Sequence, residues 1–119
     1  MAGVSLIDIQ LEILKEFERF RKDYLKHAKE IKRISREIFG KKLEGVYVFG
    51  SIVKGKSHPM SDVDIAIILS VAANEVERTK LYGKVRKKFG LAHPFEVHIL
   101  SVDEWEWYRR FVKNDLLRV

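Results

Sequence analysis

Asp62-Val63-Asp64-Ile65-Ala66-Ile67-Ile68-Leu69 sets two acids at the mouth of an apolar, β-branched run. A run so short and so rich in isoleucine reads as a strand over Ser61 to Leu69. With no polar residue after Asp64, it must be covered on both faces. That requirement points to a layered domain with this strand near its centre. Side chains alternate along a strand, so Asp62 and Asp64 project from the same face. Upstream, Leu43 to Phe49 reads as another strand and ends in Gly50-Ser51. A glycine there lets backbone N–H groups and a hydroxyl come close to an anion. Paired carboxylates beside such a cradle can hold a hard divalent cation.

Ser5 to about Phe39 reads as one long helix. Ile13, Phe17, Phe20, Tyr24, Ala28, Ile31, Ile34 and Ile38 recur at spacings of three and four. Ser5 with Asp8 makes a weak capping box, and Gly40 supplies the stop. Leu6, Ile7, Ile9, Leu11 and Leu14 add more apolar surface than a small sheet covers. The surplus fits a break near the start, or a side that packs on another protein or a second copy, as well as it fits an internal core. Arg19, Arg21, Lys22 and Lys26 to Arg36 mix with glutamates on the other side, where i,i+4 pairing favours a solvated face over a nucleic-acid stripe.

Gly50-Ser51 should open a short helix to Lys54, closed by Gly55, with its N-terminal N–H groups toward the anion site. Lys56 to Met60 is a loop. Asn74 with Glu77 caps a helix to Phe89 that buries Leu81, Val85 and Phe89 and leaves its lysines and arginines as solvated surface. Phe95 to Leu100 is a third strand, with Glu96 and His98 on one face. A lone acid in an apolar strand is costly unless it is exposed or binds something, so Glu96 is the candidate third carboxylate. His98 reads more readily as a structural histidine. Ser101 with Glu104 caps a last helix, whose Trp105, Trp107 and Tyr108 read as core rather than as a base-stacking platform.

Gly50-Ser51, ten residues, and then Asp62-x-Asp64, between two apolar runs, resemble the polymerase-beta-type nucleotidyltransferase superfamily, in particular its minimal single-domain branch (MNT). The resemblance implies the nucleotidyltransferase fold, an α/β (α+β) domain with a small mixed sheet and helices packed mainly on one face. It also implies transfer of a nucleotidyl group to a hydroxyl with release of pyrophosphate. Two Mg2+ ions would sit on Asp62, Asp64 and the third carboxylate Glu96, and ATP phosphates would lie near Gly50, Ser51, Lys54 and Ser61. The superfamily more often has Asp at the third position; if Glu96 fails to reach the cation, the chain binds nucleotide yet turns over poorly. The usual partner in the minimal branch is a small helical HEPN toxin, and the implied reaction moves AMP from ATP to one of its tyrosines, making this chain an antitoxin. The alternatives are a non-catalytic nucleotide-binding antitoxin that neutralises by contact, and a transferase acting on a small molecule or RNA.

Composition narrows the setting. Residues 1–119 suit a single domain, with the long helix over about 5–39 and the catalytic core over about 43–112. Hydrophobic residues make up 46%, which argues against disorder. No apolar run approaches membrane-spanning length, the start does not read as a signal peptide, and cysteine is absent. A cytoplasmic protein is the expectation. The formal charge of +6 favours anionic partners, with direct nucleic-acid binding left open.

Overall fold

The computed structural model describes residues 3–119, as five α-helices and four strands. Helix α1 (Leu6–Lys22) and helix α2 (Tyr24–Phe39) lead through a 3-10 turn, Gly40–Lys42, into strand β1 (Leu43–Phe49). The short helix α3 (Ser51–Lys54), strand β2 (Val63–Leu69), helix α4 (Glu75–Phe89), strand β3 (Phe95–Ser101), helix α5 (Val102–Val112) and strand β4 (Leu116–Arg118) follow. Capping boxes open α1, α4 and α5 at Ser5/Asp8, Asn74/Glu77 and Ser101/Glu104, where the sequence anticipates them.

The sheet order is β3-β2-β1-β4, with β2 and β3 parallel and the other pairs antiparallel. β2 is therefore internal, as its apolar run demands. Val63, Ile65, Ile67 and Leu69 enter the main core with α2 and α4, while Ala66 and Ile68 enter a smaller one with Trp105 of α5. The helices lie mainly on the first face, as expected, and α5 alone covers part of the second. Strand β4 lies outside the three strands read from sequence. Three residues, Leu116-Leu117-Arg118, carry too little periodicity to register; they form a strand because β1 offers them an open edge at Tyr47, Val48 and Phe49.

The long N-terminal helix is divided. The chain bends at Asp23 (φ −112°, ψ 37°), and the two halves do different work. α2 buries Ala28, Ile31 and Ile34 against the sheet. α1 is anchored at its last turn: the Phe20 ring meets Phe89 edge-on at 5.5 Å and Phe95 at 5.8 Å, with His27 of α2 completing the aromatic cluster. Such pairs contribute about 0.5–1.5 kcal/mol beyond their buried area. Toward the other end of α1 the apolar residues face solvent, with Leu6 71% and Ile7 66% exposed. Of the readings open in the sequence, the surplus side is present; the break falls at Asp23, midway along the stripe rather than near its start, and the whole stripe is not buried. Phe20→Ala should cost about 3–5 kcal/mol by urea denaturation, whereas Ile7→Ala should stay within about 0.5 kcal/mol.

Candidate active site

Strand register assembles the site. Asp64 pairs with Phe49 of β1 on one side and with Glu96 of β3 on the other, and the next residue on that face, Ala66, pairs with His98. Asp64, Glu96 and His98 thus share the second face of the sheet, beyond the part that α5 covers. One ligand atom from each lies within 4.8 Å of the others. His98 Nε2 is 3.2 Å from Asp64 Oδ1 and 3.9 Å from Glu96 Oε1. Asp62 lies just ahead of β2, exposed and near Glu96, outside the converging Asp64, Glu96 and His98 donor set.

The electrostatics are those of crowded acids. Glu96 is held above the ordinary glutamate range, first by partial burial, then by the neighbouring Asp62 carboxyl and the charge of Asp64, against the pull of His98. His98 is raised in turn, first by its hydrogen bond to Asp64 and then by the charges of Asp64, Glu96 and Asp62, against its own burial. Among the described residues no lysine or arginine forms an ion pair with Asp62, Asp64 or Glu96; His98 is their one basic neighbour. Convergent carboxylate oxygens with no lysine or arginine paired to them suit a divalent cation, which prefers such donors. His98 is the site residue that the sequence alone left as structural. Its ring is flanked by Phe49 at 5.4 Å and Tyr108 at 6.1 Å, and the only sequence signal for it was its shared face with Glu96.

The Gly-Ser turn closes against this cluster. Gly50 sits at φ +92°, ψ −153°, a conformation that essentially only glycine adopts. A Cβ built on it would fall 2.7 Å from Asp64 Oδ2. Both the backbone and the neighbouring carboxylate therefore require glycine here. Its N–H donates to Asp115 O at 3.2 Å, so the turn into β4 braces it, and its own carbonyl accepts from Val53 and Lys54 to start α3.

The remaining candidates have other partners. Lys54 Nζ lies 3.6 Å from Asp115 Oδ2. Ser61 Oγ accepts from His58 N–H at 2.9 Å and shapes the loop ahead of Asp62. That loop is also fastened from α1. The Arg21 guanidinium donates to Pro59 O at 2.9 Å and Ser61 O at 2.8 Å. Arg21 is only 7% exposed, so it does not belong to the solvated basic face on which the sequence had set it. Of the aromatic residues in α5, Trp105 and Tyr108 pack inward, but Trp107 is 55% exposed and is not core. For Gly50→Ala, strain should cost about 1–3 kcal/mol, and displacement of Asp64 should abolish any effect of divalent cation on ATP affinity; thermal melts and calorimetry check the two effects.

The comparisons with known proteins accord with this geometry. The family described as polymerase beta, nucleotidyltransferase, matches residues 22–117. A nucleotidyltransferase crystal structure is similar at 36% identity and a TM-score of 0.61, over 78% of this chain and 97% of that one. Spectinomycin 9-adenylyltransferase of Staphylococcus aureus is 29% identical over 72% of this chain, which spans only 37% of that relative's length. The MntA-HpeT toxin–antitoxin structure shares the fold, with a TM-score of 0.54 and 20% identity over 76% of this chain and 70% of that one. With most of its length matched by the family, and with the family's Gly-Ser and Asp-x-Asp elements meeting in space, the chain belongs to the polymerase beta nucleotidyltransferase family.

Proposed function

We propose that this chain is a divalent-cation-dependent nucleotidyltransferase that moves AMP from ATP to a hydroxyl, most specifically a tyrosine of a helical, HEPN-type toxin that it thereby silences. The observation that carries the nucleotidyl-transfer reading is the convergence of Asp64, Glu96 and His98 donor atoms within 4.8 Å, against the Gly50 turn. Asp62, Asp64 and Glu96 would hold Mg2+, which when bound supplies charge neutralisation for the triphosphate and the attacking oxygen. Gly50 and Ser51 would approach the β- and γ-phosphates, Gly50 because it has no side chain to block them. Glu96 is suited to accept the proton of the attacking hydroxyl, since partial burial, and then the neighbouring acids, raise its proton affinity. The hydroxyl oxygen forms a bond to the α-phosphorus, the bond to the bridging oxygen breaks, and pyrophosphate leaves. His98 holds Asp64 through its 3.2 Å contact.

Glu96 is the residue on which catalysis turns against mere binding. Its side chain is 53% exposed, yet its carboxylate belongs to the cluster, which supports the enzyme over a vestigial, contact-only antitoxin. What supports a protein acceptor is the apolar side of α1, where Leu6, Ile7, Ile9 and Leu11 face solvent. The similarity to spectinomycin 9-adenylyltransferase favours a second reading, transfer to a small hydroxyl compound.

Incubation with labelled ATP and Mg2+ separates these readings. With a co-purified protein present, the label should appear on that protein at a tyrosine. Glu96→Gln should slow labelling by roughly 100-fold or more while leaving the complex intact on size exclusion. Asp62→Asn with Asp64→Asn should abolish Mg2+-dependent ATP binding by calorimetry. Label on spectinomycin alone would select the small-molecule reading. Labelling at the wild-type rate by Glu96→Gln would remove Glu96 from the chemistry.

A further inference from the structure

Helix α4 carries a feature that the site does not use. From Arg78 to Lys88 it holds six cations, Arg78, Lys80, Lys84, Arg86, Lys87 and Lys88, and no acid. Leu81, Val85 and Phe89 fix its inward side in the main core, on the face of the sheet opposite to the acidic cluster. Lys84 and Lys88 reach toward Glu37 and Glu30 of α2 at 3.5 and 3.8 Å. Lys80, Arg86 and Lys87 stand exposed with no ion-pair partner among the described residues.

In the middle of this outward surface is Gly83, exposed and helical. After proline, glycine is the poorest helix former. Nothing in the fold asks for it: its φ is not positive, and a Cβ built there meets nothing within 4 Å. Helical spacing makes Thr79, Lys80, Arg86 and Lys87 its neighbours at i−4, i−3, i+3 and i+4. The result is a bare stretch of helix backbone ringed by free cations.

We infer that the outer face of α4 is a docking surface for the phosphodiester backbone of a nucleic-acid duplex, with Gly83 as the point of closest approach and Lys80, Arg86 and Lys87 as the phosphate contacts. Lys80 and Lys87 are about 10.5 Å apart along the helix at 1.5 Å per residue. A duplex strand presents a phosphate about every 3.4 Å of its axis, so this separation matches about three steps. Tyr82 is the only exposed aromatic residue of α4, too little for a stacking platform, so contact is with the backbone rather than with splayed bases. The absence of a side chain at Gly83 favours a close-approaching backbone over an acidic protein surface, which would gain from a packing residue there.

The test is fluorescence anisotropy with a labelled 20-base-pair duplex over a salt series. Binding should weaken steeply with salt. Lys80→Gln with Lys87→Gln should lower affinity about 10-fold and reduce the salt slope by about 2. Gly83→Leu should raise Tm by roughly 4 °C and still weaken binding about 5-fold, an opposition that a purely structural glycine would not produce. Unchanged affinity in either variant, or no duplex binding at 50 mM salt, overturns the assignment. Displacement of the duplex by polyglutamate at equal charge concentration would also overturn it, in favour of an acidic protein partner. The site variant Asp64→Asn should bind the duplex as the wild type does.

Discussion

Asp64 and Gly50 approach so closely that a single methyl group would not fit between them. A Cβ at Gly50 would meet Asp64 Oδ2 at 2.7 Å, and this proximity follows from antiparallel pairing that sets Phe49 opposite Asp64. A one-residue slip of β2 would turn Asp64 into the apolar layer and bring Val63 and Ile65 to the acidic face. Register in β2 is held from both sides by the complete burial of Val63, Ile65, Ile67 and Leu69 on one face and of Ala66 on the other. The core thus specifies the position of the acids, and the acids in turn forbid a side chain at position 50.

The same constraint extends outward through hydrogen bonds. Gly50 is braced by Asp115 ahead of β4, and the loop before Asp62 is fastened to Arg21 in α1. Segments from both ends of the chain therefore brace the two loops that flank the acids. The buried Arg21 guanidinium sets its Nη2 on two loop carbonyls, a directional charge-assisted contact, while its Nε has no hydrogen-bond partner. Arg21 consequently acts as a positioning residue for the loop, and it sits at the end of the helix that offers an apolar side to solvent. A protein docked on α1 would lie on the element that holds the Asp62 loop.

Charge is divided between the two faces of the sheet. Asp62, Asp64 and Glu96 gather beyond α5, where burial and then the neighbouring acids raise Glu96, and the hydrogen bond to Asp64 raises His98. The lysines and arginines of α4 lie across the main core from them. A basic total of +6 accordingly hides an acidic cluster, and the net figure says little about what either surface binds.

The sequence by itself determined the three strands, the capped starts of α1, α4 and α5 and the acidic pair, because each is written in short-range terms: alternation along β2 and β3, Ser/Asn caps with an acid three residues on, and a glycine after a strand. It also pointed to Glu96, because an acid alone among apolar neighbours needs a reason. What it could not decide depends on distance through space. The bend at Asp23 leaves the apolar period of Ser5 to Phe39 unbroken, so the division of that helix appears only once Phe20 meets Phe89 and Phe95. Arg21 looked like one of many surface cations until the fold set two loop carbonyls in front of it. β4 is three residues long and exists because an edge of β1 was free to receive it. His98 became part of the site through parallel pairing of β2 with β3, a long-range choice that no local pattern records. Local propensity and periodicity are legible one segment at a time; contacts between segments belong to the tertiary structure, which alone joins the Gly-Ser turn, the acids and the histidine into one place.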